Sequence, residues 1–157
     1  LLNKEAVKRV EKELKKFDSN LQIVVLESSA RTAEDAAKSL NTEIGSIVKS
    51  LLLRTQNSFL LCLIAGDKRC SLNKVKKIIN QKDVSMANAD QVKDITGFTI
   101  GGVSPVGHLK HIKVYIDKSF SRFKNIFAAA GHPNCIFKIN LENLKKITSG
   151  EIMDISE

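Results

Sequence analysis

The chain has no tryptophan and a single tyrosine. With so few flat π-faces, a platform that reads nucleic acid by stacking successive bases is not expected. The seven phenylalanines sit mostly in apolar segments and read as core. Prolines are two, Pro105 and Pro133, and no linker, repeat or low-complexity segment divides the 157 residues. No apolar run approaches the ~18 residues of a membrane span, and the longest, Phe59 to Ala65, is strand-sized. Leu1-Leu2-Asn3-Lys4-Glu5 is followed by no apolar signal core, so no secretory peptide is expected. Cysteines are three, Cys62, Cys70 and Cys135, an odd number without metal-ligand spacing. They read as reduced thiols of a cytoplasmic protein, with Cys62 in the core. G-x-S-x-G, the P-loop, C-x-x-C and H-E-x-x-H are all missing, so no metal and no cofactor is assigned. Acidic residues are also scarce: 17 against 25 Lys and Arg, for a net charge of +8. That balance points to a polyanionic partner such as nucleic acid.

What is present is an interleaving of helical and strand patterns. Val7, Val10, Leu14 and Phe17 recur at helical spacing after Asn3, which predicts a capped helix to about Lys16. Leu21 to Leu26 reads as a buried strand. Thr32 opens a second helix with Glu34 and Asp35 in its first turn. Ile47 to Arg54 and Phe59 to Ala65 read as an antiparallel strand pair. Ser71 caps a third helix, a short strand lies within Val84 to Ala87, and a brief helix runs from Asp90 to Gly97. Lys113 to Ile116 is a strand with Val114 and Ile116 inward. Phe120 to Phe123 forms a helical turn, Ile126 to Ala130 and Ile136 to Ile139 form a hairpin, and Asn140 caps a last helix. One domain over residues 1–157 is expected. The pattern predicts a mixed sheet flanked by helices, strongly curved or closed.

The stretch Thr96 to His108 holds four of the eight glycines and one of the two prolines. It is either a tight turn between strands or a loop presenting main-chain groups to an anion or polar substrate. Lys49 shares a strand face with Ile47, Leu51 and Leu53. An amine there either snorkels at a sheet edge or points into a pocket to meet a phosphate or carbonyl. Gly131-His132-Pro133-Asn134 is a turn whose histidine has an acid–base range near neutrality. His108 and His111 read as exposed loop residues.

Taken in order, Ser29-Ala30-Arg31-Thr32-Ala33-Glu34, then Ile47-Val48-Lys49-Ser50-Leu51, Ala65-Gly66-Asp67, Gly101-Gly102-Val103-Ser104-Pro105 and Gly131-His132-Pro133-Asn134 resemble the YbaK/aminoacyl-tRNA editing-domain family. The resemblance covers residues 20 to 155. It implies an α/β fold around a barrel-like, mostly antiparallel mixed sheet. It implies a trans-editing hydrolase that removes a wrongly attached small amino acid from tRNA. Alanine on proline tRNA is the first expectation, with cysteine, serine and threonine open. No synthetase domain is read in the chain, so action in trans or within a complex is expected. By position, the family's lysine falls on Lys49 and its glycine–proline loop on Gly101 to Pro105. The expected catalytic set is Lys49, Gly101 and Gly102, in a substrate-assisted mechanism. Gly101 and Gly102 would hold the aminoacyl carbonyl and amine, and Lys49 the terminal phosphate or ribose. Ile47, Val48, Ser104, Pro105, Gly131 and His132 are the expected substrate-binding residues. The implied partners are the acceptor end of aminoacyl-tRNA and a synthetase or elongation factor, with no membrane. An inactive tRNA- or synthetase-binding module of the same fold is the alternative, and a small-molecule-binding protein with a basic surface a third reading.

Overall fold

The computed structural model describes residues 1–157. Its elements, in chain order, are α1 (Glu5–Phe17), β1 (Ile23–Val25), α2 (Ala33–Leu40), β2 (Ile47–Arg54), β3 (Phe59–Ala65), α3 (Leu72–Ile79), β4 (Ser85–Met86), α4 (Ala89–Thr96), β5 (Lys113–Asp117), β6 (Ile126–Ala129), β7 (Cys135–Ile139), α5 (Leu141–Thr148) and β8 (Glu151–Met153). Short 3-10 turns precede β2 and follow β5.

The sheet runs β1-β7-β6-β2-β3-β5-β8, with β4 added to β2. Pairs β1–β7, β2–β3, β2–β4 and β6–β7 are antiparallel, and β2–β6, β3–β5 and β5–β8 are parallel. Its end strands β1 and β8 do not meet, so the expected curved mixed sheet stays open rather than closing into a barrel.

β3 explains the longest apolar run. Leu61, Leu63 and Ala65 face one side of the sheet and Leu60, Cys62 and Ile64 the other, and each side is covered. A strand buried on both faces must be apolar at every position. The larger core joins Leu61 and Leu63 to Val7, Val10 and Leu14 of α1, and to Phe98 and Phe137. The smaller one packs α3, through Val75, against the opposite face. α2 contributes Ala36 and Ala37 to a third cluster with Ile47 and Ile136.

The caps are local and follow from side-chain chemistry. Thr32, Ser71 and Asn140 each accept a hydrogen bond from the main-chain N–H three residues on. Asn88 and Gln91 form a reciprocal capping box on α4. α1 differs from expectation: its N-cap is Lys4, with no side-chain cap, so Asn3 plays no such part. The burial of its Val7–Val10–Leu14 stripe holds it instead. β1 is shorter than Leu21 to Leu26, and Val24 and Val25 are exposed because it is an edge strand paired only with β7. Tyr115, on the strand face opposite Val114 and Ile116, is also buried, because α3 and the C-terminal segment cover that side. β8 has only three residues and no alternation to betray it.

Candidate functional site

β2 carries the site because its two edges differ. Along β3 it pairs without a break from Val48 to Arg54. On the other edge β6 pairs only with Ile47 and Val48, and β4 only with Leu53 and Arg54. Residues 49–52 therefore face a gap between β6 and β4. A cavity of about 390 Å³ opens there. It wraps around the strand edge, so Ile47, Lys49 and Leu51 line it from one face, and Val48, Ser50 and Leu52 from the other. Phe127, Val92 and Val103 extend an apolar wall, and the exposed side chains of Met86 and Ile100 border it.

Lys49 is half-buried at this gap and donates a hydrogen bond to the carbonyl of Lys68. An ammonium has three N–H donors, so this bond leaves two for a ligand. Burial pushes the amine below its ordinary value, while the nearby Asp67 carboxylate opposes that shift. Asp67 is itself clamped by Arg122, with contacts of 2.7 and 2.8 Å, which holds its carboxyl below the usual range. The turn that receives Lys49 is thus fixed from outside.

The glycine-rich loop divides by role. Gly101 lines the cavity at φ +96°, in the left-handed region, and a Cβ there would lie 2.8 Å from Cγ of Arg31. Gly102 is buried and does not line it. Its N–H donates to the carbonyl of Thr99, and its own carbonyl accepts from Gly131 N–H at 3.1 Å. A Cβ on Gly102 would come within 3.0 Å of the backbone of His132. Gly102 is the point where this loop presses on the late hairpin. Ser104 is fully buried, and its hydroxyl accepts from the N–H of Val106. Pro105 lies on a second, shallower cleft of about 220 Å³ with His108 and His111. Both ends of the loop are tied to α1 by Arg9, which donates to the carbonyls of Gly97 and Gly107. Its guanidinium also lies 5.0 Å over the Phe98 ring.

Gly131 and His132 stand behind the cavity wall rather than in it. His132 Nδ1 accepts from Asn134 N–H at 3.0 Å, and burial, reinforced by nearby Lys4, lowers its pKa. The hairpin also grips the segment before α2: Ala30 N–H donates to Pro133 O, and Leu26 N–H to Asn134 O. That grip places Arg31, Thr32 and Ala33 along the cavity. The Arg31 side chain is exposed and has no ion pair or hydrogen bond. His108, read as exposed, instead folds in: its Nε2 lies 2.7 Å from Ser104 O, and burial lowers its pKa.

No aspartate, glutamate or histidine lines the cavity. Cys135 does, but it is fully buried and burial pushes its thiol pKa up, which makes it a poor nucleophile. Cys62 and Cys70 lie on the other face, where the influence of each thiol on the other raises the pKa of the first and lowers that of the second. No group of three or more His, Cys, Asp or Glu side chains converges as a metal ion needs.

Sequence reasoning missed two features. Arg31 was inside a recognised motif but without a role, and only its contact with Gly101 gives it one. Ser50 stands in the strand motif with no role of its own assigned by the sequence. In the structure its Oγ is shielded from water without a hydrogen-bond partner, a state that no spacing rule reveals.

Residues 27–147 match the family described as the aminoacyl-tRNA editing domain. The chain is 27% identical over 130 residues to a proline–tRNA ligase of Caldicellulosiruptor saccharolyticus, covering 82% of this chain and 22% of the ligase. It thus spans about a fifth of that synthetase's length. A protein of Enterococcus faecalis, named as a candidate deacylase of Cys-tRNA(Pro) and Cys-tRNA(Cys), is 27% identical over 126 residues, covering 80% of this chain and 77% of the other. A crystal structure described as a candidate trans-editing enzyme for prolyl-tRNA synthetase superposes with a TM-score of 0.92 at 32% identity, covering 98% of each chain.

Proposed function

The chain belongs to the aminoacyl-tRNA editing domain family, and from that premise we propose that it hydrolyses the ester of a mischarged tRNA, acting in trans as one domain over residues 1–157. The observation that carries this reading is the gap in β2's ladder, where an apolar cavity is lined by Lys49 on one side and Gly101 on the other.

The reaction joins a water oxygen to the aminoacyl carbonyl carbon and breaks that carbon's bond to the terminal ribose. The proton returns to the ribose oxygen that leaves. The cavity offers no carboxylate or imidazole as base. The substrate's own neighbouring hydroxyl fills that role, and the protein supplies position and charge. Lys49, with two donors free, meets the phosphate or ribose of the terminal nucleotide. Arg31, unpaired at the same cavity, adds a second cation to that end. The N–H of Gly101 serves the aminoacyl carbonyl. Gly102, whose two main-chain groups are already used, acts by holding the loop on the hairpin.

The amino acid side chain faces the apolar wall of Ile47, Val48 and Val103. Such a wall suits alanine and takes cysteine next. A second site is needed because one methylene gives a synthetase pocket only about 1–3 kcal/mol of discrimination. The cysteine reading is kept because of the Enterococcus relative's name.

The test is a deacylation panel over Ala-, Cys-, Ser-, Thr- and Pro-charged proline tRNA. Ala-tRNA is expected to be hydrolysed fastest and Pro-tRNA slowest. Binding that weakens steeply with salt is expected from the phosphate contacts. Binding without release of any amino acid would replace the hydrolase with the inactive binding module.

A further inference from the structure

Within the cavity, one residue offers three polar groups that the fold leaves unused. Main-chain groups alternate along a strand, so Ser50, like Leu52, directs its N–H and C=O away from β3. Leu52 O is taken by Ala87 N–H at 3.0 Å, beside β4. Val48 is paired with β6. Ser50 lies between them, where the ladder is interrupted. Its Oγ is in addition the one buried side-chain polar atom of the protein without a hydrogen-bond partner. Buried polar atoms without partners are costly and uncommon, so one beside a cavity calls for a reason.

The ligand's chemistry supplies it. An aminoacyl ester brings a primary amine, which needs acceptors. The only charged side chains lining the cavity are Arg31 and Lys49, both cations. Thr32 also lines it, but its Oγ already accepts from Asp35 N–H to cap α2. Ser50 is left, with a carbonyl facing the gap and a hydroxyl that rotation about χ1 moves among three staggered positions. We infer that Ser50 receives the α-amino group of the aminoacyl moiety, through its main-chain carbonyl and its Oγ, and so selects a free amine over a blocked one. This role rests on the deacylase reading above.

The experiment compares single-turnover hydrolysis of Ala-tRNA and N-acetyl-Ala-tRNA by the wild type, Ser50→Ala, Ser50→Thr and Lys49→Ala. The wild type should prefer the free amine. Ser50→Ala should be slower on the free amine by about tenfold, the scale of one hydrogen bond, and its preference should shrink towards one. Ser50→Thr, which keeps the hydroxyl, should retain the preference. The unfolding midpoint of Ser50→Ala should hold or rise, because an unpaired buried hydroxyl is removed. A merely structural serine would lower the midpoint and slow both substrates alike. Either equal slowing on both substrates or a wild-type rate for Ser50→Ala overturns the role of Ser50. If Lys49→Ala is inactive in that same experiment, the deacylase reading stands without it. A wild type that hydrolyses neither substrate removes both.

Discussion

The two edges of β2 are made of the same eight residues and do opposite things. Towards β3 the ladder is continuous over seven pairs. Towards β6 and β4 it holds at each end and opens in the middle. The closed edge buries Leu60 to Ala65 completely enough to anchor both cores. The open edge leaves main-chain groups, an amine and a hydroxyl beside an apolar space. A site built this way needs no mobile loop to supply its floor: the rigid edge positions the chemistry on the other.

The comparison predicts a double dissociation. Lys49→Ala, on the open edge, should lower deacylation on the order of 100-fold, as removal of a preorganised donor does, with little change in the urea midpoint. Leu61→Ala, on the closed edge, should cost about 2–5 kcal/mol of unfolding free energy while the folded fraction keeps its activity. Parallel urea titrations and single-turnover assays read both. A Lys49→Ala protein that unfolds as easily as Leu61→Ala would erase the distinction.

Next in size is the clasp behind the cavity. Gly102→Ala adds a Cβ about 3.0 Å from the His132 backbone. Overpacking of this kind costs about 1–3 kcal/mol and should also slow hydrolysis by shifting the loop that carries Gly101. Thermal melts and rates should move together here, unlike at Lys49.

A pH effect follows from the burial of Lys49. Its amine is held below the ordinary 10.5, so the ammonium is lost at lower pH than on an exposed lysine. Activity, corrected for spontaneous ester hydrolysis, should fall on the alkaline side below pH 10.5. Lys49→Arg should move that limb upward. The linkage has the opposite sign for stability. The folded state disfavours the ammonium, so this group's contribution is complete above 10.5 and is lost as pH falls through the lowered value.

The smallest effect belongs to the outer clamp. Asp67 and Arg122 are each about a third or more exposed, so Asp67→Asn should cost no more than about 1 kcal/mol. Arg122 lowers the Asp67 carboxyl below 3.8, so the stabilisation is full above that pH and disappears as pH falls through the lowered value. A larger loss of activity than of stability would show that the clamp matters through Lys49.

How much of this was readable follows from the range of the forces involved. Caps at Thr32, Ser71 and Asn140, and the β2–β3 and β6–β7 hairpins, are local and stood in the sequence. Lys49 showed as a charge on an apolar face because strand alternation is strict. What sequence could not show was distance across the fold. That Gly101 shares a cavity with Lys49, that Gly102 spends its groups on Gly131 and Thr99, and that Ser104 and Pro105 turn elsewhere depend on loop paths. Arg9 holds both ends of that loop from a helix nearly a hundred positions away in sequence. β8 and the openness of the sheet depend on where short edges fall, which periodicity does not encode.

The central claim is that the interrupted edge of β2 receives the aminoacyl end of tRNA. An amide-linked alanyl-adenosine analogue, which cannot be hydrolysed, tests it directly by titration against the backbone amide resonances of the protein. The account predicts the largest shifts at Lys49, Ser50, Leu51 and Gly101, with the Pro105 to His111 cleft unmoved. Shifts confined to that cleft, with residues 49–51 silent, would contradict it.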